Sequence, residues 1–140
     1  MRVAVAAAAV IAAAPVFASA YEFTPAPQTD LNRVYRVDRI TGEVGSCQYG
    51  LRENTVGVTI CFGPGEGAGA QPPGEFGLIA SRHEREGGVF RVNYRTGEMS
   101  VCYVFEEKVV CTPPESVTPA VAQAEPEEPE TTGSTGASRD

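Results

Sequence analysis

The chain has 140 residues, with 18 acids against 11 bases for a net charge of −7, 42% apolar residues and no tryptophan. That length leaves room for one folded domain. An acidic balance without a clustered basic stripe excludes nucleic acid as a partner, because phosphate binding rests on grouped Lys and Arg.

The chain opens on "MRVAVAAAAVIAAAPVFASA", in which Arg2 precedes an apolar run from Val3 to Phe17 and Ala18-Ser19-Ala20 forms an A-x-A cleavage site. The run is shorter than the roughly 20 residues a membrane span needs. Residues 1–20 therefore read as a signal peptide cleaved between Ala20 and Tyr21. The exported chain is expected in the periplasm or beyond, with no stable membrane span after cleavage. No Cys follows the run, so no lipid anchor is expected.

Residues 21–112 carry the material of the domain, and they say nearly the same thing twice. "YRVDRITGEVGSC" (Tyr35 to Cys47) returns 55 residues later, without a gap, as "FRVNYRTGEMSVC" (Phe90 to Cys102), with six of thirteen positions identical. In the first copy Tyr35 and Val37 alternate with Arg36 and Asp38. In the second, Phe90, Val92 and Tyr94 alternate with Arg91, Asn93 and Arg95. A period of two predicts half-buried strands with the apolar residues inward and the charges outward. Each copy then runs into D/N-x-x-T-G: Asp38, Thr41 and Gly42, then Asn93, Thr96 and Gly97. The Asp or Asn side chain can bond backbone two residues on, and the Gly supplies the positive φ of a hairpin loop with a bulge.

Both copies continue to a second cysteine. Folding "CQYGLRENTVGVTIC" about Asn54 sets Cys47 against Cys61; folding "CYVFEEKVVC" about Glu106-Glu107 sets Cys102 against Cys111. Opposed residues of an antiparallel pair lie within disulfide reach, so pairs Cys47–Cys61 and Cys102–Cys111 are expected. Glu106-Glu107 is poor turn material by composition. The result is a pair of three-stranded meanders (repeat one 33–61, repeat two 89–111), each stapled by a disulfide. They are joined by a loop or linker, 63–77, with six Gly and three Pro. "FGLIASR" offers an edge strand and "HEREGG" a charged turn. The expectation is an all-β domain of about six or seven strands, a small antiparallel sandwich or open barrel; two separate units on a flexible linker are the other arrangement. The end of the chain, 113–140, has five Pro, six acids, one base and no aromatic residue. Such a tail is expected to stay disordered.

The doubled R-x-[DN]-x-x-T-G…C…C pattern resembles a motif of small exported or membrane-tethered proteobacterial proteins, in the form R-L-D-x-x-T-G-x-x-S-x-C with a second Cys about nine residues later. The second copy, Phe90 to Cys111, follows it closely; the first has a longer gap to Cys61. The resemblance implies an exported β-hairpin module and brings no activity with it. D-x-x-T-G is also similar to the strand turn of β-propeller blades, where it is only a turn signal, and two copies of three strands are too few for a propeller. Richness in Ala, Gly, Val, Arg and Pro fits a high-GC bacterium.

No catalytic, cofactor or metal constellation is recognisable. His83 is the single histidine and has neither a second histidine nor a nucleophile motif to work with. The cysteines lack both the two-to-four-residue spacing of zinc ligands and the C-x-x-C of redox catalysts. Glu43 and Glu98 are matched carboxylates, but each follows a turn glycine, at an ordinarily exposed hairpin tip. Arg33, Arg36, Arg39, Arg91 and Arg95 gather near the repeats with acids interleaved, as on a solvated strand face. The Gly-rich 63–77 stretch lacks the ordered spacing of a phosphate loop. The leading expectation is a non-catalytic exported β module that binds a protein or an envelope component. A small enzyme or enzyme inhibitor with a site formed only in three dimensions comes second, and an envelope thiol or metal protein third.

Overall fold

The computed structural model describes residues 20–116. The signal peptide expected over 1–20, but for its last residue, and the disordered tail expected over 113–140, but for its first four residues, lie outside them. Ala20 and Tyr21, at the expected cleavage point, lead into the first strand.

Eight strands follow one another: β1 (Tyr21–Pro25), β2 (Arg33–Asp38), β3 (Val44–Gly50), β4 (Val58–Phe62), β5 (Phe76–Ile79), β6 (Val89–Asn93), β7 (Met99–Phe105) and β8 (Lys108–Cys111). They form two four-stranded antiparallel meanders, β1-β2-β3-β4 and β5-β6-β7-β8, packed as a sandwich. The fold is all-β, with no helix among the described residues.

Each meander has four strands rather than three. β5 is the edge strand expected in "FGLIASR"; its counterpart β1 brings the total to eight, beyond the six or seven expected. Tyr21 pairs with Asp38 and Phe23 with Arg36, just as Phe76 pairs with Asn93 and Leu78 with Arg91. The 55-residue offset thus reaches back to "YEFTPA", which matches "FGLIAS" only in apolar character at alternate positions.

Both motif hairpins are built alike. Asp38 Oδ1 accepts from the Ile40 and Thr41 amides at 2.8 and 2.9 Å, and Asn93 Oδ1 from the Arg95 and Thr96 amides at 3.0 and 3.3 Å. The Thr41 and Thr96 hydroxyls accept from the Glu43 and Glu98 amides. Gly42 and Gly97 sit at φ +70° and +75°, a region closed to most residues with a Cβ. The β7–β8 turn is a two-residue one despite its composition: Phe105 pairs with Lys108, and Glu106 and Glu107 both take positive φ. That is the twist a tight hairpin requires.

The two copies differ in the face they bury. In the first sheet Tyr35, Val37, Val44 and Ser46 are buried, while Val34, on the opposite face, is exposed. In the second sheet the buried set is Val89, Arg91, Ser100, Cys102 and Val109, which occupy the opposite parity. Arg91 does not point outward: it is 4% exposed. Tyr94 is exposed, and Val92, although buried, is not part of the core cluster. The reason is geometric. Successive side chains alternate between faces, and the second sheet lies with its back to the front of the first, so the same motif presents its other side.

The linker closes this arrangement and is bonded along its length. Gly65 and Val109 pair backbone to backbone, the Cys111 amide donates to Glu66 and the Val109 amide to Gly63, so the chain after β4 runs beside β8. It then inserts Ala68, fully buried, into the core, where the Val44 amide donates to the Ala68 carbonyl. The Gln71, Gly74 and Phe76 amides next bond the Thr41, Ile40 and Arg39 carbonyls. The core is this seam: Tyr35, Val37 and Val44 from one sheet, Val89, Cys102 and Val109 from the other, with Phe76 and Ala68 between. Each fully buried side chain of Val size or larger contributes about 1.5–3 kcal/mol.

Candidate interaction surface

Disulfides join Cys47 to Cys61 and Cys102 to Cys111, each across a directly opposed pair. Their surroundings differ. Cys102 and Cys111 lie in the core, whereas Cys61 is exposed and Cys47 half-buried on the outer face of the first sheet. No described cysteine is free.

The face of the second sheet that turns away from the seam is apolar across β5, β6 and β7, while β8 adds Val110 and one charged residue, Lys108, directly opposite Phe105. Parity places Ile79 on it from β5, Phe90 and Val92 from β6, Met99, Tyr103 and Phe105 from β7. Ile79, Met99 and Phe105 are 50%, 57% and 55% exposed. Val101 and Val110 fill the spaces between them, and Tyr94 lies over Gly77 at one corner. Surface apolar residues are ordinary when scattered, whereas here they are gathered on one sheet face. The missed signal was in β7, "MSVCYVF", where both parities are apolar. A strand buried on one side alternates with polar residues; this one does not.

The outer face of the first sheet is mixed. Phe23 is 65% exposed, Val34 and Tyr49 are exposed on the same face, and Arg36 lies 5.4 Å from the centroid of the Tyr21 ring. A cation–π contact at an exposed site contributes about 0.5–1 kcal/mol.

A shallow cleft of about 280 Å³ opens where the linker passes the second hairpin, lined by Arg91, Glu98, Ser100, Glu66, Gln71 and Thr112. Arg91 donates Nη1 to the Gly42 carbonyl at 3.0 Å. Burial holds its guanidinium below the usual pKa, with Glu98 pulling the other way. Tyr35 donates its hydroxyl to the Gly87 carbonyl at 2.7 Å, and burial raises its pKa. No buried side-chain nitrogen or oxygen among the described residues lacks a partner.

The other candidates are dispersed. His83 lies exposed in the β5–β6 loop, its amide donating to Ser81. Glu43 and Glu98 occupy matched turns in different sheets. The arginines divide: Arg33 bonds Gln48 on the inner face and lies over Phe62, Arg91 is buried, and Arg95 makes a 4.0 Å ion pair with Glu75 in solvent. An exposed pair of that kind contributes little. No group of three or more potential metal-ligating residues forms among the described residues.

Comparison with protein-family models, with curated proteins and with solved structures finds no match to this chain.

Proposed function

We propose that the protein is a non-catalytic β module exported to the periplasm or beyond, and that it works by binding a protein or envelope component through the open face of its second sheet. One observation carries this reading: a largely apolar surface that runs across β5, β6 and β7 to Val110 of β8, with Ile79, Met99 and Phe105 each about half exposed on a disulfide-closed sheet. Holding such a face in water is unfavourable by about 25 cal/mol per Å², and a partner that covers it removes that cost. Two closed disulfides fit an oxidising compartment. The test is a photo-crosslinking residue at Phe105, with a control at exposed Arg52 in the β3–β4 loop, in the exported chain. Adducts at 105 that vanish on Met99→Glu support the reading; equal or absent adducts at both positions overturn it.

The cleft supports a second reading, a small enzyme or inhibitor, because it gathers Arg91 with Glu98 and Glu66. Its carboxylates are exposed and its arginine is already engaged with Gly42. Carboxylate or phosphate ligands that shift the Arg91 side-chain NMR signals at millimolar concentration would favour it.

A further inference from the structure

The two sheets stack front to back, and the 55-residue offset says what that leaves at the ends. Within the seam, Tyr35, Val37 and Val44 of the first sheet face the second. Their counterparts are Phe90, Val92 and Met99, on the open face of the second sheet. From the other side of the seam, Phe76, Leu78, Arg91 and Cys102 correspond to Tyr21, Phe23, Arg36 and Cys47, on the outer face of the first. The molecule therefore carries one half of its own internal seam at each end.

Individual contacts have vacant counterparts too. Phe76 packs on Gly42, where an added Cβ would stand 2.8 Å from the ring. Gly97, the counterpart of Gly42, has nothing within 4 Å of such a Cβ, and Tyr21, the counterpart of Phe76, is 44% exposed. Arg91 donates to the Gly42 carbonyl; Arg36 is its counterpart, exposed on the outer face.

We propose that a second copy of this chain docks head to tail, the outer face of its first sheet covering the open face of the second sheet, with Tyr21 on Gly97 and Arg36 donating to the Gly97 carbonyl. The proposal rests on the reading of the open face as a binding surface and names what binds there. A second copy fits because the contact continues the seam the chain already makes with itself. Front-to-back contacts are heterologous, so every added copy leaves the same two faces free, and the assembly grows until it closes as a ring or continues as a filament. The new seam is weaker than the internal one. Phe90 has no hydroxyl where Tyr35 bonds Gly87, Gly77 stands where the Glu22 carboxylate accepts from the Leu78 amide, and no Ala68 fills it. Association is accordingly reversible.

The test is sedimentation velocity on the full chain, expressed for export and purified oxidised, across a concentration series. Growth beyond the monomer is expected. Met99→Glu on one face and Phe23→Glu on the other each raise the concentration for half-association by roughly tenfold or more, as one unpaired charge inside an interface does. Mixing these two variants restores a one-to-one dimer, since each keeps the face the other has lost. Gly97→Ala, whose methyl meets nothing in the monomer, weakens association as well, and because its positive φ strains the turn, circular dichroism of all three variants at a concentration where the parent is monomeric shows that each is folded. A chain that stays monomeric at every concentration overturns the proposal. So does association that Met99→Glu abolishes and Phe23→Glu leaves intact, which would be symmetric pairing of second sheets. A monomer that still gives adducts at position 105 leaves the binding module standing with another partner, whereas a monomer without adducts removes both.

Discussion

Asp38 and Asn93 occupy one position in the two copies and make the same pair of bonds to backbone amides, yet only Asp38 ionises. The Thr41 and Ile40 amides hold its carboxyl below the ordinary value of 3.8. A depressed folded-state pKa gives stability that is present above the unfolded value and lost as pH falls through the folded one. Asp38→Asn should therefore leave stability at pH 7 within about 0.5 kcal/mol of the parent and flatten its decline below about pH 4. Asp38→Ala loses both bonds and should cost about 1 kcal/mol at pH 7. Urea unfolding at pH 7 and pH 3 reads both effects; an Asn variant with an unchanged acid limb would contradict the assignment. The turn glycines offer a second internal comparison. Ala at Gly97 incurs only the left-handed backbone penalty of about 1–2 kcal/mol. Ala at Gly42 adds a collision with the Phe76 ring, and overpacking of that kind brings a further 1–3 kcal/mol or so. Equal losses in the two variants would mean that Phe76 has room to move.

The staples belong to the β3–β4 and β7–β8 pairs, and their loops span separations of 14 and 9 residues. Chain entropy gives each a similar contribution, on the order of 3 kcal/mol, so burial decides how they differ. Reduction proceeds by thiolate attack and needs access. Limited reductant followed by alkylation and peptide mass spectrometry should label Cys47 and Cys61 well before Cys102 and Cys111, which sit in the core. Paired replacement by Ala should be the costlier at 102 and 111, because lost packing adds to lost loop closure. Simultaneous labelling of all four would show that the second sheet opens as readily as the first. At this scale much was legible. Alternation about a D/N-x-x-T-G turn gives β2–β3 and β6–β7, and a mirror-symmetric run between cysteines gives β7–β8 with its register. β1 was not legible: five residues directly after an Ala-rich run carry too little pattern, and only pairing with β2 shows "YEFTP" to be the counterpart of "FGLI". Nor was the buried face of the second copy. Period two says that faces alternate, not which is covered, and β7 is apolar on both. The open face became visible only once the front-to-back stacking placed Val89 and Arg91 inside.

At the scale of the molecule, the segment that composition marks as slack is the one that fixes the sheets together. A stretch with six Gly and three Pro has little propensity for strand or helix, and composition alone suggests a flexible connection. Yet Gly also permits close backbone approach. Gly67 takes φ +70°, and a Cβ there would collide with the Cys111 carbonyl, so only glycine lets the chain lie against β8. The same run delivers Ala68 to the seam and ties the linker to both the first hairpin and β8 by backbone bonds. Amides bonded in this way exchange only when the structure opens. Hydrogen exchange read by NMR should accordingly show Gly65, Ala68, Gln71 and Gly74 protected to about the level of the strands, and far above the β3–β4 loop around Arg52. Gly67→Ala should remove that protection from the linker and from Val109 and Cys111 together, because the two runs share bonds, while the β2–β3 ladder keeps most of its own. Fast exchange throughout residues 63–74 in the parent would mean two sheets joined by a tether. The front-to-back seam would then be only one of several arrangements, and the matched end faces would lose the template from which head-to-tail docking follows.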